Sequence, residues 1–271
     1  MRAVRYIVLV FLCLLPSLHG MAGDRLSILT WNTARMGNFQ KPERNEVLQY
    51  LMAQDADVIC LQEVDVYKDA KYITLLEVRQ LLSKKYRYSY LDFSVYDKRH
   101  QFGTMVWSKY PLINKQSIHY ETRGNLSNRC DIVVGEDTIR LINNHLESYS
   151  FTSSDLENMD NIEAKWRRAI PLRNKQAQVI RAEINVSPYP VIVVGDFNSV
   201  ALSFAYWHIS RGLHDAWTTV HPWRWGATYE YKGFGLRIDY ILCSDPLKPV
   251  SCSVPDASGS DHKPVVATLE W

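Results

Sequence analysis

Residues 191–198 read Val-Ile-Val-Val-Gly-Asp-Phe-Asn: an unbroken apolar run that ends in Gly195, Asp196, Phe197 and Asn198. Such a run is a buried strand, and the polar residues after it occupy the loop at the strand's end. The same arrangement recurs outward along the chain. Leu26–Trp31 is a strand closed by Asn32, and Asp57–Leu61 leads into Gln62-Glu63-Val64. Thr138–Asn144 leads into His145-Leu146-Glu147-Ser148, and with Asp131–Val134 it flanks Gly135-Glu136-Asp137, a hairpin signal. Arg237-Ile238-Asp239-Tyr240 opens the strand Ile238–Cys243, and Ser260-Asp261-His262-Lys263-Pro264 precedes Val265–Leu269. Tyr86–Phe93 and Gly103–Trp107 read as extended. Glu43–Gln54 reads as a helix with Val47, Leu48, Leu51 and Met52 on one face. Thr74–Lys85 and Asp155–Asn185 also read as helical, the second interrupted at Pro171. Strands outnumber helices and come partly as hairpins, partly alternating with helices. That pattern predicts a mixed-sheet, layered α/β or α+β domain.

The composition, 46% hydrophobic and 22% charged over 271 residues, excludes a disordered or fibrous chain. No repeat or linker divides it, so residues 23–271 are expected to form one domain. Residues 1–22 read as an export signal: Arg2 and Arg5, the apolar run Ile7–Leu15 broken by Pro16, and small Gly20 and Ala22 before the cut. A retained N-terminal anchor is the alternative. The protein is thus expected in the periplasm, on the outer surface or secreted. Arg2 and Arg5 leave with the leader, so the remaining 29 basic and 29 acidic residues cancel. Such a chain exerts no overall pull on a polyanion, and any anion site must be a local patch. Cys60 and Cys130 lie in apolar runs and are expected to be buried thiols, while Cys243 and Cys252 flank a Pro-containing turn and either pair or stay free. No Cys/His spacing points to structural zinc.

The chemistry lies in the strand-end clusters. Glu63, Asp196, Asp239 and Asp261 are hard oxygen donors, and Asn32 and Asn198 add amide oxygens. That set suits Mg²⁺, Mn²⁺ or Ca²⁺. His145 and His262 beside such a metal can donate to a charged phosphoryl oxygen, and a carboxylate can position or deprotonate a water. Neither a GxSxG elbow nor a P-loop is present. These residues point to metal-assisted hydrolysis of a phosphate ester.

With TWN (residues 30–32), LQEV (61–64), NHLES (144–148), GDFN (195–198), RIDYI (237–241) and SDHKPV (260–265) in this order, the chain resembles the endonuclease/exonuclease/phosphatase superfamily. That superfamily groups DNase I-like nucleases, abasic-site endonucleases, sphingomyelinases and inositol phosphatases. The resemblance implies a four-layer, DNase I-like sandwich of two packed mixed β-sheets flanked by helices. It implies Glu63 as the principal metal ligand, with Asn32 beside it and Asp261 close to the metal. It implies that Asp196 aligns or deprotonates the attacking water, Asn198 contacts the phosphate, His145 and His262 hydrogen-bond the phosphoryl oxygens, and Asp239 orients His262. His145 stands where abasic-site enzymes carry a tyrosine motif. The HLES form is more similar to tyrosyl-DNA phosphodiesterases and sphingomyelinases, and the whole pattern to exported bacterial members. The extra glutamate that supports this histidine in DNase I-like enzymes is not identifiable.

The expectation is a monomeric, exported, divalent-metal-dependent phosphodiesterase or nuclease acting on a phosphoester, with no obligate protein partner. The alternatives are a sphingomyelinase-like or inositol-phosphate hydrolase, and a non-catalytic binding protein on the same scaffold. Nucleic acid and lipid substrates both stay open. Arg167, Arg168, Arg173, Lys175 and Arg181 read as a solvated helix face, with a phosphate patch as the sharper alternative. Trp217, Trp223, Trp225, Tyr229 and Tyr231 divide between core and a stacking rim. His208, His214 and His221 read as structural or exposed, and Ser108–Pro111 as a turn whose Lys109 could approach substrate.

Overall fold

The computed structural model describes residues 24–149, 159–231 and 233–271; the leader 1–22 and the expected helical residues 155–158 lie outside the described residues. In chain order the elements are β1 (Arg25–Asn32), α1 (Ala34–Asn38), α2 (Glu46–Ala53), β2 (Val58–Tyr67), α3 (Leu75–Leu82), β3 (Tyr88–Tyr96), β4 (His100–Ser108), β5 (Leu112–His119), β6 (Leu126–Val134), β7 (Asp137–His145), α4 (Met159–Asn185), β8 (Val191–Asp196), α5 (Phe204–Ser210), β9 (His214–Asp215), α6 (Ala216–Val220), β10 (Tyr229–Tyr231), β11 (Phe234–Leu236), β12 (Asp239–Cys243), β13 (Lys248–Ser253) and β14 (Val265–Glu270).

Two six-stranded sheets form, ordered β13-β14-β1-β2-β4-β3 and β5-β6-β7-β8-β12-β9, with β10-β11 as a separate hairpin. Both sheets are mixed: β1–β2 and β7–β8 are parallel, the other pairs antiparallel. Strand alternation explains the layering. Leu26 and Ile28 of β1, Val58 and Cys60 of β2, Ile192 and Val194 of β8, and Ile241 of β12 share one core between the sheets. Their neighbours point outward: Leu29, Trp31, Ile59 and Leu61 meet Val47, Leu48 and Leu51 of α2 and Val78 and Leu82 of α3. On the other side Val191, Val193, Tyr240 and Leu242 meet Ala177, Ile180 and Ile184 of α4 and Ala205 and Ile209 of α5. The central strands are apolar on both faces because each face has its own core. The result is the expected four-layer sandwich.

Several local expectations need correction. The helix expected over Glu43–Gln54 is a 3-10 turn at Pro42–Arg44 followed by α2, because the Asn45 side chain accepts from Leu48 N at 3.0 Å and caps a new start. The helix α4 runs through Pro171, whose missing N–H removes one hydrogen bond while burial of Ala177, Ile180 and Ile184 holds the remainder. Its basic stretch is not one solvated face: Arg167 is exposed and pairs with Glu163, whereas Arg173 is buried. Lys109 is structural, bonded to Asp55 and Asp57 just before the start of β2, whereas Glu63 lies further along that strand. All four described cysteines are free and buried, including Cys243 and Cys252. No described helix is long and apolar enough to cross a membrane.

Candidate active site

The strand ends that carry the polar clusters face one another. Register places Asn32 opposite Gln62 across β1–β2, His145 opposite Asp196 across β7–β8, and Asp239 opposite Asp196 across β12–β8. The sheets are tied together behind these ends: Gln62 Nε2 donates to Asn143 Oδ1 at 2.6 Å and to Thr30 Oγ1 at 3.0 Å, all fully buried. Asn143 Nδ2 in turn donates to Leu61 O and Met105 O. A buried polar cross-link of this kind fixes the spacing of the residues that follow, Glu63 and Asn144-His145.

Local backbone geometry presents the side chains. β2 is bulged between Leu61 and Val64, and Glu63 at the bulge has φ +49°. A non-glycine residue there costs about 1 kcal/mol or more and re-aims its side chain out of the sheet. Asn198 has the same φ. Gly195 has φ +119°, and a Cβ on it would stand 2.1 Å from Asn144 O, so β8 can lie against β7 only with glycine there. The loop carrying His262 is pinned to β1: Ser260 Oγ donates to Asn32 O at 2.7 Å, and Trp31 Nε1 to His262 O at 2.8 Å. Thr228 Oγ1 accepts from Ile238 N and Asp239 N, fixing the start of β12.

These constraints converge on one cluster. Asn32 Nδ2 donates to Glu63 Oε1 at 3.1 Å and to Asp196 Oδ2 at 2.9 Å, while its Oδ1 accepts from Ala34 N. Asp196 also accepts from Asn198 N and Asn198 Nδ2. The second Nδ2 contact of Asn198 is to Leu146 O, so a phosphate contact through this amide requires one of these bonds to be released. His262 Nδ1 lies 2.9 Å from Asp239 Oδ2, and its Nε2 lies 4.0 Å from Asp196 Oδ2. His145 Nε2 lies 3.5 Å from Glu63 Oε1, and neither ring nitrogen has a hydrogen-bond partner among the described residues. No glutamate backs this histidine among those residues. Asp261 is exposed and lines the same cavity as Glu63, Asp196 and His262.

Charge sharpens these roles. Burial opposes the charge on Glu63, but the adjoining His145 and the Asn32 amide outweigh it and bring the carboxyl to about 2. Burial would lower His262; Asp239 and then Asp196 overcome it and raise the imidazole to about 10. His145 is raised too, Glu63 outweighing desolvation. Asp196 is raised by burial and by Asp239. Asp196, Asp239 and His262 offer ligand atoms within 4.8 Å of one another. Asp239 already holds Nδ1 of His262, and Asp239 and Asp196 together favour the charged imidazolium there. Glu63 and Asp261 are the further carboxylates that line the cavity. Both face the cavity, and among the described residues neither Glu63 Oε2 nor the Asp261 carboxylate has a hydrogen-bond partner.

The sequence reading did not find Arg35, which stands beside Glu63 in the cavity wall. It sits in α1, a single left-handed turn in which Ala34, Arg35, Met36, Gly37, Asn38 and Phe39 all have φ between 42° and 68°. Such a turn costs about 1–2 kcal/mol per non-glycine residue. It is held by burial of Met36 and by Asn45 Nδ2, which donates to Met36 O and Gln40 O. The glycine at 37 is the only local sequence signal. Tyr229, whose ring lies 4.8 Å from that of His262, and Trp166 also line the cavity. Of the other expected rim residues, Trp217 packs against the core, while Trp223 and Trp225 are exposed; the side chain of Tyr231 lies outside the described residues.

Comparison with known proteins agrees with this architecture. A structure from Beutenbergia cavernae described as endonuclease/exonuclease/phosphatase superposes with a TM-score of 0.69 at 17% identity, over 91% of this chain and 71% of that one. Truncated TDP2 of Caenorhabditis elegans gives 0.66 at 21% identity, over 91% and 98%. The human nocturnin catalytic domain, solved with a bound sulfate anion, gives 0.65 at 17% identity, over 91% and 94%. No curated protein sequence matches significantly. The sequence profile of the Endonuclease/Exonuclease/phosphatase family matches residues 29–262, nearly the whole described chain and every cluster above, and the protein belongs to that family.

Proposed function

We propose that the protein is a divalent-metal-dependent phosphoester hydrolase, a phosphodiesterase or nuclease, acting outside the cytoplasm as residues 23–271 after loss of the leader 1–22. The observation that carries this reading is the convergence of Glu63, His145, Asp196 and His262 where two cavities adjoin, with Asp239 behind His262, each held by its own hydrogen bonds or ion pair. Family membership supports it, as does the sulfate bound to the similarly folded nocturnin. A binding protein on the same scaffold would be free to lose one of these groups, and this chain keeps them all.

Glu63 and Asp261 would hold the ion, with Asn32 steering the Glu63 carboxylate. When bound, the ion polarises the phosphoryl group and neutralises developing charge. Asp196, gripped by Asn32 and Asn198, aligns a water and takes its proton as the water oxygen attacks phosphorus. His262, charged and fixed by Asp239, donates a hydrogen bond through Nε2 to a phosphoryl oxygen as the P–O bond to the leaving oxygen breaks, and the departing alkoxide takes a proton from solvent. His145 donates from the Glu63 side. No covalent enzyme intermediate is required.

The test is a panel: the chain from residue 23 with Mg²⁺, Mn²⁺ or Ca²⁺ against bis(p-nitrophenyl) phosphate, DNA, RNA, sphingomyelin and inositol phosphates. Metal-dependent release of phosphoester products is expected. No turnover of any phosphoester would overturn the proposal.

A further inference from the structure

Two cavities meet at the cluster. One, of about 580 Å³, runs past Asp196 and His262; the other, of about 450 Å³, runs past His145. They share Arg35, Glu63 and Ser148 as a common wall. Their chemistry differs. The first is walled by the aromatic side chains of Tyr149, Trp166 and Tyr229 and by Ser199, Ser203 and Asn38. Its titratable groups beyond the shared wall include the carboxylates of Asp196 and Asp261 and the imidazole of His262. The second is walled by Arg35, Arg123 and Arg168 together with His100 and His145.

Each carboxylate of the second cavity has a partner other than Arg35 or Arg123. Asp65 is buried, with its Oδ1 2.7 Å from His100 Nδ1. Glu147 is buried and accepts from Arg168 at 3.4 Å. Glu63 is engaged by Asn32 and His145. Arg35 and Arg123 are exposed and have no ion-pair partner among the described residues, which leaves both guanidinium groups open to an anion. Guanidinium forks match phosphate oxygens. In the first cavity Asp196, Asp261 and His262 surround the scissile group and the wall offers no guanidinium besides the shared Arg35, whereas a flat base finds the Trp166 indole, 45% exposed. The hydroxyls and amide in the same cavity wall serve the polar edges of a base; an acyl chain would desolvate them without return.

The geometry points to a two-armed substrate site, and we infer that it takes a short single-stranded nucleic acid: the nucleoside on one side of the scissile phosphate stacks on Trp166, and the next phosphate on the other side is held by Arg35 and Arg123. This rests on the phosphodiesterase reading above and adds polarity to it. Arg35, at the junction, contacts both the scissile group and its neighbour, and Arg123 sets selectivity for the second phosphate.

The test compares kcat/KM, in Mg²⁺, for a thymidine dinucleotide with one internal phosphodiester, the same compound with a terminal phosphate at either end, bis(p-nitrophenyl) phosphate, and vesicles containing sphingomyelin. A terminal phosphate at one end, and not the other, is expected to raise kcat/KM about tenfold or more, mainly through KM. Arg123→Ala should reduce that preference to less than about threefold, with Arg167→Ala, whose side chain pairs with Glu163, as the charge-matched control. Trp166→Ala should raise KM for the dinucleotide more than for bis(p-nitrophenyl) phosphate. Dinucleotide turnover with no end preference, or a preference that survives Arg123→Ala, overturns the two-armed site while leaving the hydrolase reading intact. Faster cleavage of sphingomyelin than of any nucleotide overturns it in favour of a lipid. Absence of turnover on every phosphodiester overturns both.

Discussion

Replacing Asp239 with asparagine probes how His262 is held. The two side chains are buried, and Asp239 Oδ2 lies 2.9 Å from His262 Nδ1. The carboxylate is the largest favourable influence in raising His262 to about 10 against desolvation. The new side chain could still accept from Nδ1–H with its amide oxygen, and its amide nitrogen would fall where Asp239 Oδ1 now has no partner, so the fold should tolerate it. What is lost is the charge. A hydrogen bond to a charged group contributes about 1.5–3 kcal/mol, and each 1.4 kcal/mol is tenfold in rate, so kcat should fall about 10- to 140-fold with little change in KM. His262→Ala removes the donor itself and should cost about a hundredfold or more. If Asp239 acts through His262, the double variant Asp239→Asn/His262→Ala should be little worse than His262→Ala. Steady-state kinetics of bis(p-nitrophenyl) phosphate hydrolysis on the four proteins, with circular dichroism as the check on folding, measures this. Fully additive losses would refute the positioning role.

Three other outcomes follow from packing. Gly195→Ala should destabilise by at least about 2 kcal/mol, because its Cβ would clash with Asn144 O at a positive φ; for a domain of this size that is roughly 4–8 °C in Tm. Arg237→Ala should cost about 3–5 kcal/mol in denaturant unfolding by stranding buried Asp215, 2.7 Å away, and Asp215→Ala/Arg237→Ala should cost less than the two single losses combined. Titration with a thiol reagent should find no rapidly reacting cysteine among Cys60, Cys130, Cys243 and Cys252, since all are buried and burial pushes Cys130, Cys243 and Cys252 up to about 12; after denaturation these four should react, and a fifth if Cys13 is retained.

The strands and the cluster were legible for the same reason. A strand buried on both faces must be apolar throughout, so Val191–Val194 stands out, and its abrupt end at Asp196 marks where side chains leave the core. Glu63, His145 and His262 announce themselves similarly. Some edge and hairpin strands were not legible, unlike β3 and the β6–β7 hairpin: β5 (Leu112–His119) is largely exposed and β10–β11 is a hairpin of three-residue strands, so neither has an apolar face to reveal it. Gln62 and Asn143 look like ordinary strand residues, and only the meeting of the two sheets shows them as a cross-link. Pro171 reads as a break because local propensity knows nothing of the packing that carries α4 across it. Arg35 was invisible because a left-handed turn of mostly non-glycine residues runs against local preference and is held by tertiary contacts, chiefly from Asn45.

The central claim is that Glu63 holds a divalent ion that hydrolysis needs. The most direct measurement is bis(p-nitrophenyl) phosphate turnover by the wild-type chain and Glu63→Gln, each with Mg²⁺ and with excess chelator, alongside Mn²⁺ binding by calorimetry. Glu63→Gln keeps the size of the side chain but removes the charge a hard cation requires. The account predicts turnover by metal-loaded wild type alone, abolished by chelation, and Mn²⁺ affinity at least about tenfold weaker in Glu63→Gln. Undiminished turnover in chelator, or a Glu63→Gln variant that binds Mn²⁺ and hydrolyses the diester like wild type, would contradict it.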